Sequence, residues 1–64
     1  MKQKIELPDI AMFSVKTAGE YTSFGERYWI ERIRKEEIPI VRIGRSVRIL
    51  RKDLIDFLEA KINE

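Results

Sequence analysis

A run of basic residues without an acidic neighbour lies between Ile38 and Lys52. Its cations are Arg42, Arg45, Arg48, Arg51 and Lys52. Guanidinium and ammonium groups bind phosphate oxygens through their charge and through several N–H donors. This pattern favours a nucleic-acid backbone as the partner, and the alternative is a set of solvated strand residues with no ligand.

The net charge of +2 conceals how unevenly the charge is distributed. Residues 1–37 are neutral overall, residues 38–52 carry +5, and residues 53–64 carry −3. The positive field is therefore confined to one segment, and the C-terminal segment is acidic.

The chain contains few groups that perform catalysis. It has no histidine and no cysteine, which removes the commonest general base and the commonest metal ligands. Glu36 and Glu37 are adjacent, and neighbours in a helix point about 100° apart, so they do not converge on one site. We therefore expect no enzymatic activity, no cofactor and no bound metal.

The 64 residues suffice for one small domain with a small core. No apolar run approaches the roughly 18 residues of a membrane span. The first residues, MKQKIELPD, lack the apolar segment of a signal peptide. We expect a soluble, cytoplasmic protein, associated with the nucleoid if it binds DNA.

A first helix and a turn are predicted ahead of the basic segment. Ser14 is a suitable N-cap for a helix from about Val15 to Tyr21. Gly19 lies inside this helix, where a small residue lets another backbone come close. Residues 22–25 have the composition of a turn, and we expect Phe24 to be its buried anchor.

A second helix is predicted from about Glu26 to Glu36 or Glu37. Trp29, Ile30 and Ile33 fall on one face of it, which we expect to be buried. Trp29 could serve as a stacking platform for a base, but its position beside Ile33 favours the core. Pro39 ends this helix and begins the extended stretch.

A β-hairpin follows, and its register can be predicted from parity. A three-residue loop, Gly44-Arg45-Ser46, pairs Ile43 with Val47 and Arg42 with Arg48. This register keeps one apolar face whole, formed by Val41, Ile43, Val47 and Ile49. It places Arg42 and Arg48 together on the outer face and Arg45 at the tip.

The last helix begins near Arg51 or Lys52. Its buried stripe is predicted to contain Leu54, Phe57, Leu58 and Ile62, while Ile55 points away. The fold class is therefore α+β, a small winged helix-turn-helix over residues 13–64. Residues 1–12 form an N-terminal arm, and Ile10 to Phe13, where the arm meets the domain, can form a short edge strand.

The sequence resembles the excisionase-type DNA-binding domains, which are winged helices related to the MerR-type domain. The resemblance covers residues 13–60 and rests on Ser14 to Ala18, Tyr21, Phe24 to Glu26, Ile38-Pro39, Val41 to Ile49, Lys52 to Leu54 and Phe57-Leu58. The spacing of Tyr21, Phe24, Gly25 and Glu26 looks closest to the excisionases of conjugative transposons. Thr22 and Ser23 depart from the pattern, which has a larger aliphatic residue and a glycine there.

The resemblance implies binding to double-stranded DNA beside attachment sequences. Such proteins bend the DNA and help a tyrosine integrase to excise a mobile element, and neighbouring copies can contact one another on the DNA. Some relatives regulate transcription instead, so a small regulator of a phage or mobile element is an alternative. A protein-interaction module whose wing docks on an acidic partner is another.

The expected DNA contacts fall into three groups. The second helix would enter the major groove with Arg27, Tyr28, Glu31, Arg32 and Lys35. The hairpin would be the wing, with Arg42, Gly44, Arg45, Ser46 and Arg48 near the DNA, and Arg51 and Lys52 would reach further phosphates. Glu31 can instead pair with Arg27 or Lys35, and Tyr28 can instead be a half-buried aromatic.

Overall fold

The computed structural model describes residues 6–62 and has the predicted α+β winged helix-turn-helix architecture. Its elements, in order, are β1 (Met12–Phe13), α1 (Val15–Thr22), α2 (Glu26–Arg34), β2 (Val41–Ile43), β3 (Ser46–Leu50) and α3 (Arg51–Ile62). Residues 1–5 of the predicted arm, together with residues 63–64, lie outside the described part of the chain.

The described residues form a three-stranded antiparallel sheet in the order β1-β3-β2. The predicted edge strand is confirmed in a shorter form, because Met12 pairs with Leu50 and Phe13 pairs with Ile49. The side chains of Phe13 and Ile49 are fully buried. β1 therefore closes one side of the sheet and places an aromatic ring in the core.

Helix α1 begins and packs as its sequence predicts. The hydroxyl of Ser14 accepts a hydrogen bond from the backbone N–H of Thr17 at 3.1 Å, so Ser14 is the N-cap. A Cβ atom at Gly19 would lie 2.7 Å from backbone atoms of Gly25 and Glu26. The predicted close approach is confirmed, and it is an approach of the N-terminus of α2 to α1.

The Thr22 hydroxyl organises the turn between the two helices. It donates to the carbonyl oxygen of Ala18 at 2.7 Å and accepts from Trp29 Nε1 at 2.9 Å. The Trp29 side chain is fully buried, so its N–H requires an acceptor inside the protein. The departure at Thr22 from the family pattern therefore supplies the partner of a core tryptophan.

The expectation that Phe24 is the buried anchor of this turn is wrong. Phe24 is 50% exposed, and its ring lies 4.7 Å from the ring of Tyr28. The buried aromatic side chain next to the turn is instead Trp29, whose Nε1 donates to the Thr22 hydroxyl. Phe24 is left on the surface of an aromatic cluster.

Helix α2 ends at Arg34, earlier than the predicted Glu36 or Glu37. Glu36 has a φ of 56°, its N–H donates to the carbonyl oxygen of Ile33, and the Glu37 N–H donates to that of Arg32. This pair of bonds is a Schellman ending, with a glutamate in the left-handed position that usually holds glycine. The chain thus leaves the helix before it reaches Pro39.

The core of the described residues is small and draws on every helix and on two strands. Its buried side chains are Phe13, Ala18, Trp29, Ile38, Ile49, Leu54 and Leu58. Ile30 and Ile62 were expected there, but they are 45% and 42% exposed. Trp29 fills the face of α2 that meets the core and turns Ile30 outwards, while Ile62 lies in the last turn of α3 at the rim of an open groove. Ile55 is half-buried.

Thr22→Val tests whether the hydroxyl secures Trp29. Valine keeps the shape of the side chain but leaves the buried indole N–H without its acceptor, and such a loss costs about 1–3 kcal/mol. We expect a lower free energy of unfolding by that amount in urea denaturation. Thr22→Ser retains the hydroxyl and is the matched control. Equal stabilities of the two variants would contradict the assignment.

Candidate nucleic-acid interface

The hairpin has a different register from the predicted one. Its pairs are Val41 with Arg48, Arg42 with Val47, and Ile43 with Ser46, so the loop contains two residues, Gly44 and Arg45. Gly44 has a φ of 60°, whereas the φ of Arg45 is not positive. A glycine with positive φ at the first position suits a tight two-residue turn whose twist matches the strands. The predicted three-residue loop is wrong.

The observed register separates the arginines that parity had placed together. Arg42 shares a face with Val47, and Arg48 shares the opposite face with Val41. The proposed common outer face of Arg42 and Arg48 is therefore wrong. The single apolar face is wrong for the same reason, and Ile43 is 53% exposed.

The wing presents its charge at the tip and on both faces. Gly44, Arg45 and Ser46 are exposed at the turn. Arg48 is half-buried and donates from Nη1 to the carbonyl oxygen of Val47 at 2.9 Å. Arg42 is exposed and points to the side of the wing that faces α2.

A cleft separates α2 from the wing. This α2–wing cleft is lined by Val15, Ile30, Ile33, Arg34, Glu36, Arg42 and Val47. Its floor is aliphatic, and its rim contains two arginines and one glutamate. The cleft joins the exposed side of the second helix to the base of the wing, so the two elements form one continuous surface.

The exposed face of α2 contains Arg27, Ile30, Arg34 and the following Lys35. The Arg34 side chain is 78% exposed, yet neither Arg34 nor Ile30 was among the expected contacts. Because Ile30 was expected in the core, the predicted outer face of α2 is rotated relative to the observed one. Taking Trp29 alone as the centre of the buried face would have placed Arg34 outside.

Tyr28 and Arg32 lie on the flank of α2 rather than on its exposed face. Tyr28 is half-buried, and its ring lies 5.0 Å from the ring of Trp29. The Arg32 guanidinium carbon lies 4.9 Å from the centre of the Tyr28 ring, and its Nε lies 3.8 Å from Glu37 Oε1. These contacts hold both side chains against the body of the protein.

Glu31 pairs with a different cation from the two that were anticipated. Its Oε1 atom lies 3.6 Å from Arg34 Nη1, and not beside Arg27 or Lys35. An exposed pair of this kind contributes about 0–1 kcal/mol and opens readily. Within residues 6–62, the side chains of Arg27, Lys35, Arg42 and Arg45 form no ion pair.

The two cations at the start of α3 differ in their surroundings. Arg51 donates from Nε to the carbonyl oxygen of Pro8 at 3.1 Å and from Nη2 to that of Leu7 at 3.4 Å. Its side chain therefore fastens the N-terminal arm to α3. Lys52 is 77% exposed, with Nζ 3.5 Å from Asp53 Oδ1.

Residues 6–62 contain no group of three or more acidic, histidine or cysteine side chains able to hold a metal ion. No helix in the same range has the length and hydropathy needed to cross a membrane.

The chain is similar to one known family. A family model described as a helix-turn-helix domain matches residues 12–62, which is most of the chain. The family binds DNA and includes excisionase-like proteins. No curated protein and no solved structure matches the chain at a significant level.

Replacing Gly44 by the two mirror forms of alanine tests the observed turn. The Cβ atom of L-alanine at Gly44 would meet nothing within 4 Å, so the cost of that form comes from its backbone conformation. We expect L-alanine to lower the free energy of unfolding by about 1–2 kcal/mol, because a φ of this sign is unfavourable for L-residues. D-alanine, introduced by chemical synthesis of the chain, prefers this φ. Equal destabilisation by both forms would refute the two-residue turn.

Proposed function

The chain belongs to the helix-turn-helix domain family, which binds DNA, and from this premise we propose that it is an excisionase. In this role it binds specific sites in double-stranded DNA near the attachment sequences of a mobile element. It bends the DNA there and assists a tyrosine integrase in excision. The coarser property, sequence-specific DNA binding, is the one that the family match supports directly.

One structural observation carries the proposal: two basic elements flank a single cleft. Arg34 on α2 and Arg42 on the wing both line the α2–wing cleft. Arg27, Lys35 and Arg45 extend the basic surface along the helix and to the wing tip, and each is exposed. A helix and an adjoining hairpin that both carry cations suit a duplex, whose phosphates border each groove.

Helix α2 enters the major groove in this proposal. Arg27 and Arg34 bind guanine or phosphate, and Lys35 binds phosphate from the helix end. Glu31 accepts from cytosine N4 when its exposed pair with Arg34 opens. Tyr28 and Arg32 contact the backbone at the flank, where their aromatic and ionic contacts hold them.

The wing supplies orientation rather than sequence choice. Arg45 reaches the backbone or the minor groove, and its exposed neighbours Gly44 and Ser46 let the turn come close. Arg42 approaches phosphate from the α2 side, and Arg48 from the opposite side. Lys52 remains available to phosphate, whereas Arg51 must first release the arm carbonyls that it binds.

A salt titration tests DNA binding and the wing together. We expect Arg45→Ala to weaken binding to a duplex and to reduce the slope of log K against log salt by about 1. Lys61→Ala is the control, because Lys61 lines a groove with Tyr21 and Phe24 and lies outside the α2–wing cleft. If the unaltered protein shows no salt-sensitive binding to duplex DNA, a protein-interaction module is favoured instead. If the unaltered protein binds DNA in a salt-dependent way but Arg45→Ala has the same slope, Arg45 does not contact the DNA.

The positions of the bound sites distinguish an excisionase from a small transcriptional regulator. The residues that resemble excisionases favour the first, so we expect chromatin mapping to place bound sites beside an attachment sequence. Arg27→Ala should weaken binding at those sites. Sites confined to promoters would assign the protein to regulation and would leave the proposal of DNA binding intact.

A domain this small covers little DNA, so neighbouring molecules can strengthen its binding. Copies bound at adjacent sites, or integrase bound beside them, would raise its affinity.

A further inference from the structure

An isoleucine lies in the middle of the basic face of α2. Ile30 is 45% exposed, three residues after Arg27 and four before Arg34. At these spacings the three side chains share one side of a helix. Single exposed aliphatic residues are common on protein surfaces, so exposure alone assigns no role to Ile30.

The surroundings of Ile30 are more informative than its exposure. Ile30 continues the aliphatic floor of the α2–wing cleft, which also contains Ile33 and Val47. Arg34 and Arg42 stand at the rim and outnumber the single acid, Glu36. A ligand complementary to this surface is anionic at its edges and presents an apolar group towards the helix.

Duplex DNA offers one such group in the major groove. Each thymine projects a 5-methyl group there, beside phosphates that lie within reach of arginine side chains. Isoleucine has no hydrogen-bonding atom, so a methyl group is the feature of a base edge that it can recognise. Its β-branched side chain is stiff in a helix, which limits the entropy lost when it is buried.

We propose that Ile30 reads thymine by packing its side chain against the 5-methyl group of one thymine in the binding site. This contact rests on the proposed DNA binding and adds the class of base that α2 recognises. Arg27 and Arg34 hold the helix in register on either side of that base. The contact is apolar, so it adds sequence preference without adding salt dependence.

Single replacements of thymine by deoxyuridine test the contact. The probe is a duplex selected from a random library by the unaltered protein, with each thymine replaced in turn. Deoxyuridine keeps the hydrogen-bonding edge and lacks the methyl group. We expect about a fourfold loss of affinity at the contacted position, as the removal of one buried methyl group predicts. The salt slope should stay the same.

Three protein variants show which residue senses the methyl group. Ile30→Ser should bind the thymine and the deoxyuridine duplex equally, while Ile30→Val should retain part of the difference. Ile62→Ser changes an isoleucine of similar exposure in α3 and should retain all of it. Thermal unfolding checks that Ile30→Ser folds, which its exposed position favours.

The possible outcomes separate the contact from the proposed function. If the unaltered protein selects duplexes but binds every deoxyuridine-substituted duplex with unchanged affinity, the thymine contact alone is overturned. Sensitivity that persists in Ile30→Ser also overturns it. A protein that selects no duplex overturns DNA binding, and with it the contact.

Discussion

The burial of Trp29 is the constraint on which the rest of the structure depends. The indole is fully buried, its ring lies 5.3 Å from that of Phe57 on α3, and its N–H is bound by Thr22 on α1. One side chain therefore fixes the rotation of α2 against both other helices. That rotation places Arg27 and Arg34 in solvent. The burial of Trp29 in the core therefore determines which side chains form the outer face of α2.

The approach of α1 to α2 depends on a second constraint, the absence of a side chain at Gly19. Backbone atoms of Gly25 and Glu26 lie 2.7 Å from the position of a Cβ atom, closer than van der Waals contact allows, so a larger residue would push the helices apart. Ser23 and Gly25 both have positive φ in the intervening turn. Position and direction of α2 are thus set by the backbone of the turn, and its rotation by Trp29.

Local chemistry made much of this architecture predictable. The Ser14 cap, the small residue at Gly19 and the core position of Trp29 each follow from one residue and its neighbours. The order of the helices and strands follows from the apolar period and from the placement of glycine and proline. These features concern short stretches of chain, in which local preference and final structure agree.

Features that depend on distant or competing interactions were not predictable in the same way. The hairpin does not keep one apolar face, because Gly44, with its positive φ, forms a tight two-residue turn that sets the register. The roles of Ile30 and Arg34 required the rotation of α2, which depends on the size of one core residue. The carbonyl partners of Arg51 lie more than forty positions away along the chain, so no charge pattern reveals them.

The observed register of the wing determines how affinity and specificity divide across the proposed interface. With Arg42 on the side of the cleft and Arg48 on the opposite side, the hairpin presents charge around its edge rather than on one flat face. Such an edge suits contact with phosphates, which are the same at every base pair. In this proposal discrimination between sequences falls to α2, where Ile30 recognises a base through an apolar contact and Arg27, Glu31 and Arg34 can bind base edges. The acidic C-terminal segment repels a polyanion such as DNA. The charge of the whole molecule therefore favours encounters in which DNA first meets the wing and α2.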